Sequence, residues 1–267
     1  MSAAVRPLAL AADAPLLAVE GISLSFGGVK AVTDISFAVR SGEICSLIGP
    51  NGAGKSSLLN VINGVYRPQR GRVVYDGVAT ARITPRRAAR SGIARTFQNV
   101  ALFKGMSVLD NVLTGRNLQV RAGWFRQVLG LRAARDEADG HRRKAEEILA
   151  FLHIQAYRDT PVGKLPYGLQ KRVELARALA AEPRLLLLDE PMAGMNLEEK
   201  MDMSCFILDI NRDFGTTVVL IEHDLGVVMD ISDHVVVLDY GRKIADGAPA
   251  EVRDNPDVIA AYIGSAH

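Results

Sequence analysis

The sequence predicts an α/β fold, a mostly parallel sheet with helices on both faces. Three observations lead there. "EICSLIG" (43–49) and "RLLLLDE" (184–190) are short, nearly continuous apolar runs, the composition of strands buried on both faces. Helical patterns separate the strand-like runs, and such alternation calls for crossover connections. A glycine-rich segment, "GPNGAGKSS" (49–57), stands between the first buried run and the helical stretch after it. The 267 residues, 48% of them hydrophobic, suffice for one large domain or two small ones, with a sizeable core.

The elements follow in order. "MSAAVRPLALAADAP" (1–15) is broken by Pro7, Asp13 and Pro15 and reads as a disordered N-terminal tail. Residues 16–40 alternate apolar and polar, so two half-exposed strands are expected around a Gly-Gly turn at 27–28. A buried strand over 43–49, the glycine loop and a helix over "KSSLLNVINGV" come next, then a strand over "GRVVYDG" (71–77). From about 100 to 180, Arg, Ala, Leu and Glu dominate, which predicts an inserted helical subdomain. Within it, "RDEADGHRRKAEEILAFLHI" carries a long helix with Ile148, Leu149 and Leu152 on its apolar face. "LPYGLQKRVELARALA" (165–180) opens another, with Leu169, Val173, Ala176 and Ala180 facing the core. The buried run at 184–190 resumes the sheet. Asn196, with Glu199 three residues on, has the capping-box pattern of a helix start. "TTVVLIEHD", "HVVVLDY" and "RKIADG" supply two more strands and an edge strand, and 254–267 reads as a C-terminal tail.

Composition narrows the partners. A net charge of +2 gives no electrostatic footprint for nucleic acid or a membrane surface. No apolar stretch approaches the roughly 18 residues of a membrane span. Cys45 and Cys205 are too few for a disulfide framework, and both sit in apolar runs that suggest buried small side chains.

The chemistry begins at the glycine loop. Gly49, Gly54, Lys55 and Ser56 satisfy the spacing of a phosphate-binding loop that also includes Pro50, Asn51, Gly52, Ala53 and Ser57. The glycines let backbone N–H groups turn toward phosphates, Lys55 supplies a point charge, and Ser56 supplies a Mg²⁺ ligand. The helix that follows directs its positive end at the anion. Asp189, at the exit of a buried run, is suited to holding Mg²⁺. Glu190 beside it is suited to orienting and deprotonating water.

Three more segments complete a pattern: "RTFQN" (95–99) with Gln98, "LPYGL" (165–169), and "LIEHD" (220–224) with His223. In this order, the motifs resemble those of the ATP-binding cassette ATPases over essentially all of residues 16–253. The resemblance implies a P-loop NTPase, RecA-like core with an antiparallel β subdomain and an inserted α-helical signature subdomain. It implies ATP as substrate and Mg²⁺ as cofactor, with Ser56, Gln98 and Asp189 around the metal. Residues 49–57 are similar to the Walker A loop, and Asp189 and Glu190 to Walker B and the catalytic carboxylate. Gln98 is similar to the Q-loop glutamine and His223 to the switch histidine at the γ-phosphate. "AGMN" (193–196) falls at the D-loop, with Asn196 where Asp is usual. Phe26 is similar to the aromatic that stacks on adenine, a core phenylalanine being the alternative. The signature motif departs from the usual Leu-Ser-Gly-Gly-Gln: Leu165, Pro166, Tyr167, Gly168 and Leu169 keep only the leading Leu and one Gly. The serine's contact with the partner's ATP is therefore missing.

Finer features resemble the ATP-binding subunits of branched-chain amino-acid importers: "FGGVKAV", "ARTFQNVALFKGMSVLDNV", "DEPMAGMN", "EHDLGVVMDISD", "LDYGRKIADG" and "AYIG". In that branch Tyr is common at the third signature position and Pro can precede it. The resemblance implies a second cassette subunit, usually a different one, two membrane permease subunits and a separate solute-binding protein. It places the chain peripherally at the cytoplasmic face of the inner membrane. Urea and amide importers of the same branch are an alternative. A non-transport cassette ATPase is another, although such chains usually carry two cassettes, coiled coils or zinc modules. A nucleotide-binding module without turnover is disfavoured by Glu190 and His223. "AGWFRQVLGL" (122–131), with Trp124 and Phe125, suggests a surface toward the membrane subunits, with packing inside the helical subdomain as the alternative.

Overall fold

The computed structural model describes residues 14–80, 83–119 and 132–263. Strands β1 (Leu17–Phe26) and β2 (Val29–Val39) pair antiparallel around the expected turn, where Gly27 and Gly28 take φ of +51° and +92°. Side chains rarely tolerate that region, so glycine fits both positions. Strand β3 (Ile44–Ile48) is buried at every position and leads through the glycine loop into helix α1 (Lys55–Ile62). Strands β4 (Arg70–Tyr75) and β5 (Val78–Thr80), helix α2 (Pro85–Arg90) and strand β6 (Ile93–Arg95) follow. The insert contains helices α3 (Val108–Thr114), α4 (Arg132–Phe151) and α5 (Tyr167–Leu179). Strand β7 (Leu185–Asp189), helix α6 (Leu197–Phe214) and strand β8 (Thr217–Ile221) return to the core. Helix α7 (Leu225–Ile231), strands β9 (His234–Asp239) and β10 (Arg242–Gly247), and helices α8 (Pro249–Arg253) and α9 (Pro256–Ile263) complete the described chain.

A six-stranded sheet has the order β10-β9-β3-β8-β7-β6, parallel except at the β9–β10 edge, and a separate antiparallel sheet has the order β2-β1-β4-β5. Alternate residues of one strand face opposite layers. Leu185, Leu187, Val219 and Ile221 pack with Leu58, Leu59 and Ile62 of α1 and with Ile22 and Ile35 of the antiparallel sheet. Leu186, Leu188, Val218 and Leu220 pack with Leu149 of α4, Val173 of α5 and Phe206 of α6. Burying one such side chain contributes about 1.5–3 kcal/mol. The two layers therefore fix both faces of the sheet whose strand ends carry the candidate site.

Asn196 and Glu199 close the anticipated capping box at the start of α6. Other elements differ from expectation. Residues 254–267 are not simply a tail. They include α9, whose Val258 is buried in a third cluster with Ile48, Val228 and Val235. A single turn of apolar side chains is enough to seat this helix against the sheet edge. Cys45 is buried as expected, but Cys205 is exposed. The inward face of α6 is Met203, Phe206, Ile207 and Ile210, and Cys205 falls off that 3.6-residue stripe. Leu152 lies one residue beyond α4 yet is fully buried. The insert is also less continuously α-helical than its composition suggests, since 152–166 holds turns and two short 3₁₀ helices, Gln155–Tyr157 and Val162–Lys164. Trp124, Phe125 and residues 1–13 lie outside the described residues.

Candidate active site

The glycine loop leaves the carboxyl end of β3 between neighbours that exclude side chains. A Cβ on Gly49 would lie 2.0 Å from the Leu238 carbonyl oxygen, and one on Gly54 2.4 Å from that of Ala31. Their φ of +143° and +96° give the loop its concave turn. Asn51 and Gly52 form its exposed tip, Pro50 is half-buried, and Ala53 is buried. Gly54 precedes α1 without a side-chain cap, so no side chain competes for the first helical amides, and Ser56 and Ser57 sit half-buried in that turn. Lys55 is buried and donates from Nζ to the carbonyls of Gly49 (2.7 Å) and Pro50 (2.9 Å). Burial holds its pKa below the ordinary value, against the opposing charges of Glu190 and Asp189. The C-terminal helix reaches the same loop: burial raises the pKa of the Tyr262 phenol, and its hydroxyl accepts the Gly49 N–H.

Strand β7 delivers two carboxylates to this loop. Ser56 Oγ donates to Asp189 Oδ1 at 3.2 Å, so hydroxyl and carboxylate converge on one point beside the loop. Among the described residues no cluster of three His, Cys, Asp or Glu side chains would hold a metal alone. The donor set suits Mg²⁺, which typically takes one or two protein oxygens and completes its shell with phosphates and water. When bound, the ion would neutralise phosphate charge, and Ser56 and Asp189 are the residues that would hold it. Gln98 is directed elsewhere, its Nε2 donating to Glu190 Oε2 at 2.9 Å.

Glu190 stands at the strand exit with φ +52°, a left-handed conformation uncommon for this residue type. Its other oxygen lies 2.7 Å from His223 Nε2. Burial raises its pKa, but the hydrogen bonds from His223 and Gln98 and the charge of Lys55 outweigh this and leave it below the ordinary carboxylate value. The carboxylate is thus held as an anion with its two oxygens oriented by Gln98 and His223, an arrangement suited to orienting and deprotonating water.

Three supporting groups were not legible as site residues. Arg95 Nη2 meets Asp189 Oδ2 at 2.8 Å, with side-chain exposures of 6% and 3%. Its Nη1 donates to Asn60 Oδ1 at 2.5 Å. Glu222 is buried and accepts from the backbone N–H groups of Met192 (2.9 Å) and His223 (3.2 Å), and burial pushes its pKa up. Lys171 is 3% exposed beneath the Gln98 segment. The weak signal for all three is a charged residue one to four positions from a motif residue.

Phe26 is exposed at the end of β1, its ring 5.0 Å from Tyr66 in an edge-on arrangement, so it is not a core side chain. Pro166 precedes α5 at φ −54° and offers no side-chain cap. Leu165 is buried, Tyr167 exposed and Leu169 half-buried. A Cβ on Gly168 would meet Glu199 Oε1 at 2.2 Å, and one on Gly194 would meet the Tyr167 ring at 3.1 Å. Tyr167 and Gly168 thus lie against Gly194 and Glu199 of the same chain. The Asn196 side chain is committed to the α6 cap, accepting the Glu199 N–H at 2.9 Å.

A phosphate-binding loop, a carboxylate beside its serine and a held glutamate after it are thus assembled at one end of the sheet. The family model described as "ABC transporter" matches residues 32–193. The chain belongs to the ABC transporter family. A second model, "Branched-chain amino acid ATP-binding cassette transporter", matches residues 242–267. This cassette is 40% identical over 256 residues to the high-affinity branched-chain amino acid transport ATP-binding protein BraF of Pseudomonas aeruginosa, covering 94% of this chain and 99% of that one. It is 37% identical over 252 residues to LivG of Escherichia coli, with 94% and 99% covered. Among solved structures, a nucleotide-free ATP-binding cassette from an ABC transporter superposes with TM-score 0.81 at 32% identity, covering 94% of this chain and all of that one (100%). An ATP-binding cassette in its ADP conformation gives TM-score 0.81 at 33% identity, with 94% and 99% covered. The cassette is an ATPase with a P-loop NTPase core.

Proposed function

We propose that this cassette is the ATP-hydrolysing subunit of a membrane importer for branched-chain amino acids. The observation that carries the ATPase reading is Glu190, held between Gln98 and His223 directly after Asp189. The match of residues 242–267 to a model named for branched-chain amino acids supports the solute. ATP would lie along the glycine loop, with Lys55 on its phosphates, Phe26 beside adenine, and Ser56 and Asp189 toward Mg²⁺. Glu190 would hold the attacking water, and His223 and Gln98 would fix Glu190. The partners are a second, different cassette subunit, two membrane subunits and a separate solute-binding protein; nucleic acid is not among them. The cassette works at the cytoplasmic face of the membrane through those subunits. No helix among the described residues is long and apolar enough to cross a membrane.

A groove of about 470 Å³ lies beside the Gln98 segment, lined by Pro85, Ala89, Phe97, Ala101 and Arg177. It is the proposed seat for a cytoplasmic loop of the membrane subunit. Its wall includes Phe97 and Ala101, on either side of Gln98, so displacement there would reach Glu190 through the Gln98 hydrogen bond.

The test is reconstitution of the cassette with its membrane subunits and binding protein in vesicles containing ATP. Uptake of labelled leucine is expected and should vanish for Lys55→Ala. Uptake of urea with no leucine transport would move the solute assignment to the amide importers.

The 165–169 segment carries a separate expectation. Opposite a second cassette, Pro166 presents neither a hydroxyl nor an N–H, leaving Gly168 and the α5 amino end to meet the partner's nucleotide. One charge-assisted hydrogen bond contributes about 1.5–3 kcal/mol. Pro166→Ser should raise turnover in the assembled transporter several-fold, whereas Gly168→Asp should abolish it. Because a side chain at 168 also collides with Glu199, Gly168→Asp is read beside Glu199→Ala, which relieves that collision. Unchanged rates for Pro166→Ser together with an active Gly168→Asp would remove this segment from the nucleotide site.

A further inference from the structure

Lys171 is the fifth residue of α5 and is almost completely buried, an uncommon position for a lysine. Its three N–H donors face three backbone carbonyls: Gln98 at 2.9 Å, Glu190 at 3.4 Å and Phe97 at 3.5 Å. The Tyr167 ring lies 5.8 Å from Nζ. Among the described residues no carboxylate lies in ion-pair contact with Lys171; Glu174, Glu222, Glu190 and Asp189 attract it from farther away. Glu174, one turn along the same face and 1% exposed, accepts the N–H groups of Phe97 (3.3 Å) and Ala101 (3.4 Å) from Oε1. Its Oε2 is buried without a hydrogen-bond partner. Arg177 approaches Oε1 at 3.9 Å.

These contacts tie one segment to α5 through both its carbonyls and its N–H groups. The Gln98 and Glu190 side chains bond each other at 2.9 Å, and their main-chain carbonyls share Lys171. A ring results: side chain to side chain above, carbonyl to ammonium to carbonyl below. Burying an ammonium against neutral carbonyls costs free energy that a methionine of similar length would not. Packing alone therefore gives no reason for a lysine at this position.

We infer that Lys171 is a positioning residue of the hydrolytic site, holding the Gln98 and Glu190 backbones in one register. The placement of Glu190 then depends on the placement of α5, the helix that begins at residues 166–168. This deepens the ATPase reading and rests on it. If α5 is drawn toward nucleotide held by the second cassette, Lys171 carries that displacement to this chain's own Gln98 and Glu190.

The experiment is a double-mutant cycle in the assembled transporter, pairing Lys171→Met with Gln98→Ala. Alone, Lys171→Met should lower kcat about tenfold with KM for ATP within about twofold, the pattern of a lost transition-state arrangement. In the Gln98→Ala background it should cost less than about twofold more, because the ring is already open. Lys171→Arg, which keeps charge and donors, should recover part of the rate. An equal loss in both backgrounds, or a full rate for Lys171→Met alone, overturns the inference. If Lys171→Met does not fold, Lys171→Gln, which retains two N–H donors, is read in the same cycle. An active Gly168→Asp variant with the cycle still coupled would leave Lys171 in its role and remove only the contact between α5 and the partner's nucleotide.

Discussion

Glu190→Gln should retain ATP binding and lose hydrolysis by about a hundredfold or more. The substitution conserves size and leaves one oxygen to accept from Gln98 or His223. It removes the charge that both groups stabilise and replaces one acceptor oxygen with an NH₂ donor. The amide nitrogen would have to face a donor on one side, so the three-residue arrangement loosens as well. Lys55, Ser56 and Asp189 do not bond to the Glu190 side chain, so affinity for nucleotide should stay within a few-fold. Equilibrium binding of a fluorescent ATP analogue and phosphate release measure the two effects on one preparation. In the assembled transporter the ATP-closed pair of cassettes should accumulate. Turnover within about twofold of the unmodified protein would remove Glu190 from the chemical step.

Arg95→Met should destabilise the fold by about 3–5 kcal/mol, the usual cost of leaving one member of a buried ion pair without its partner. Arg95 and Asp189 are both nearly inaccessible, so solvent screens their contact little. Without Arg95, Asp189 keeps only the Ser56 hydroxyl, and Asn60 loses its donor. Water admitted beside β6 to solvate the stranded carboxylate would loosen the placement of Asp189 beside Ser56, the pair proposed to hold Mg²⁺, so the Mg²⁺ concentration needed for half-maximal ATPase should rise. Urea unfolding of the Arg95→Met and Arg95→Met/Asp189→Asn proteins checks the cause. The double variant should recover much of the lost stability because it removes the stranded charge. Failure to recover would mean that Arg95 stabilises by packing rather than by pairing.

The sequence by itself determined the fold class and named most of the groups that the structure brings together at the candidate site. Nearly continuous apolar runs at 43–49 and 184–190 became buried parallel strands, because a strand covered on both faces has no place for polar side chains. The glycine loop, Asp189, Glu190, Gln98 and His223 were legible because each belongs to a short motif whose spacing is local. The capping box at Asn196 was legible for the same reason, its partners lying three residues apart. The tertiary structure alone decided what depends on contacts between distant segments. Arg95 and Asp189 are 94 residues apart, and they pair because β6 and β7 are neighbours in the sheet. Lys171 and Gln98 are 73 apart, joined where α5 crosses beneath the strand ends. Seating the C-terminal helix on the glycine loop and turning Cys205 outward are decisions of the same kind. Local spacing states which groups are available, but a buried charge takes its role from the neighbour that packing puts against it, and burial makes that choice of neighbour energetically strict.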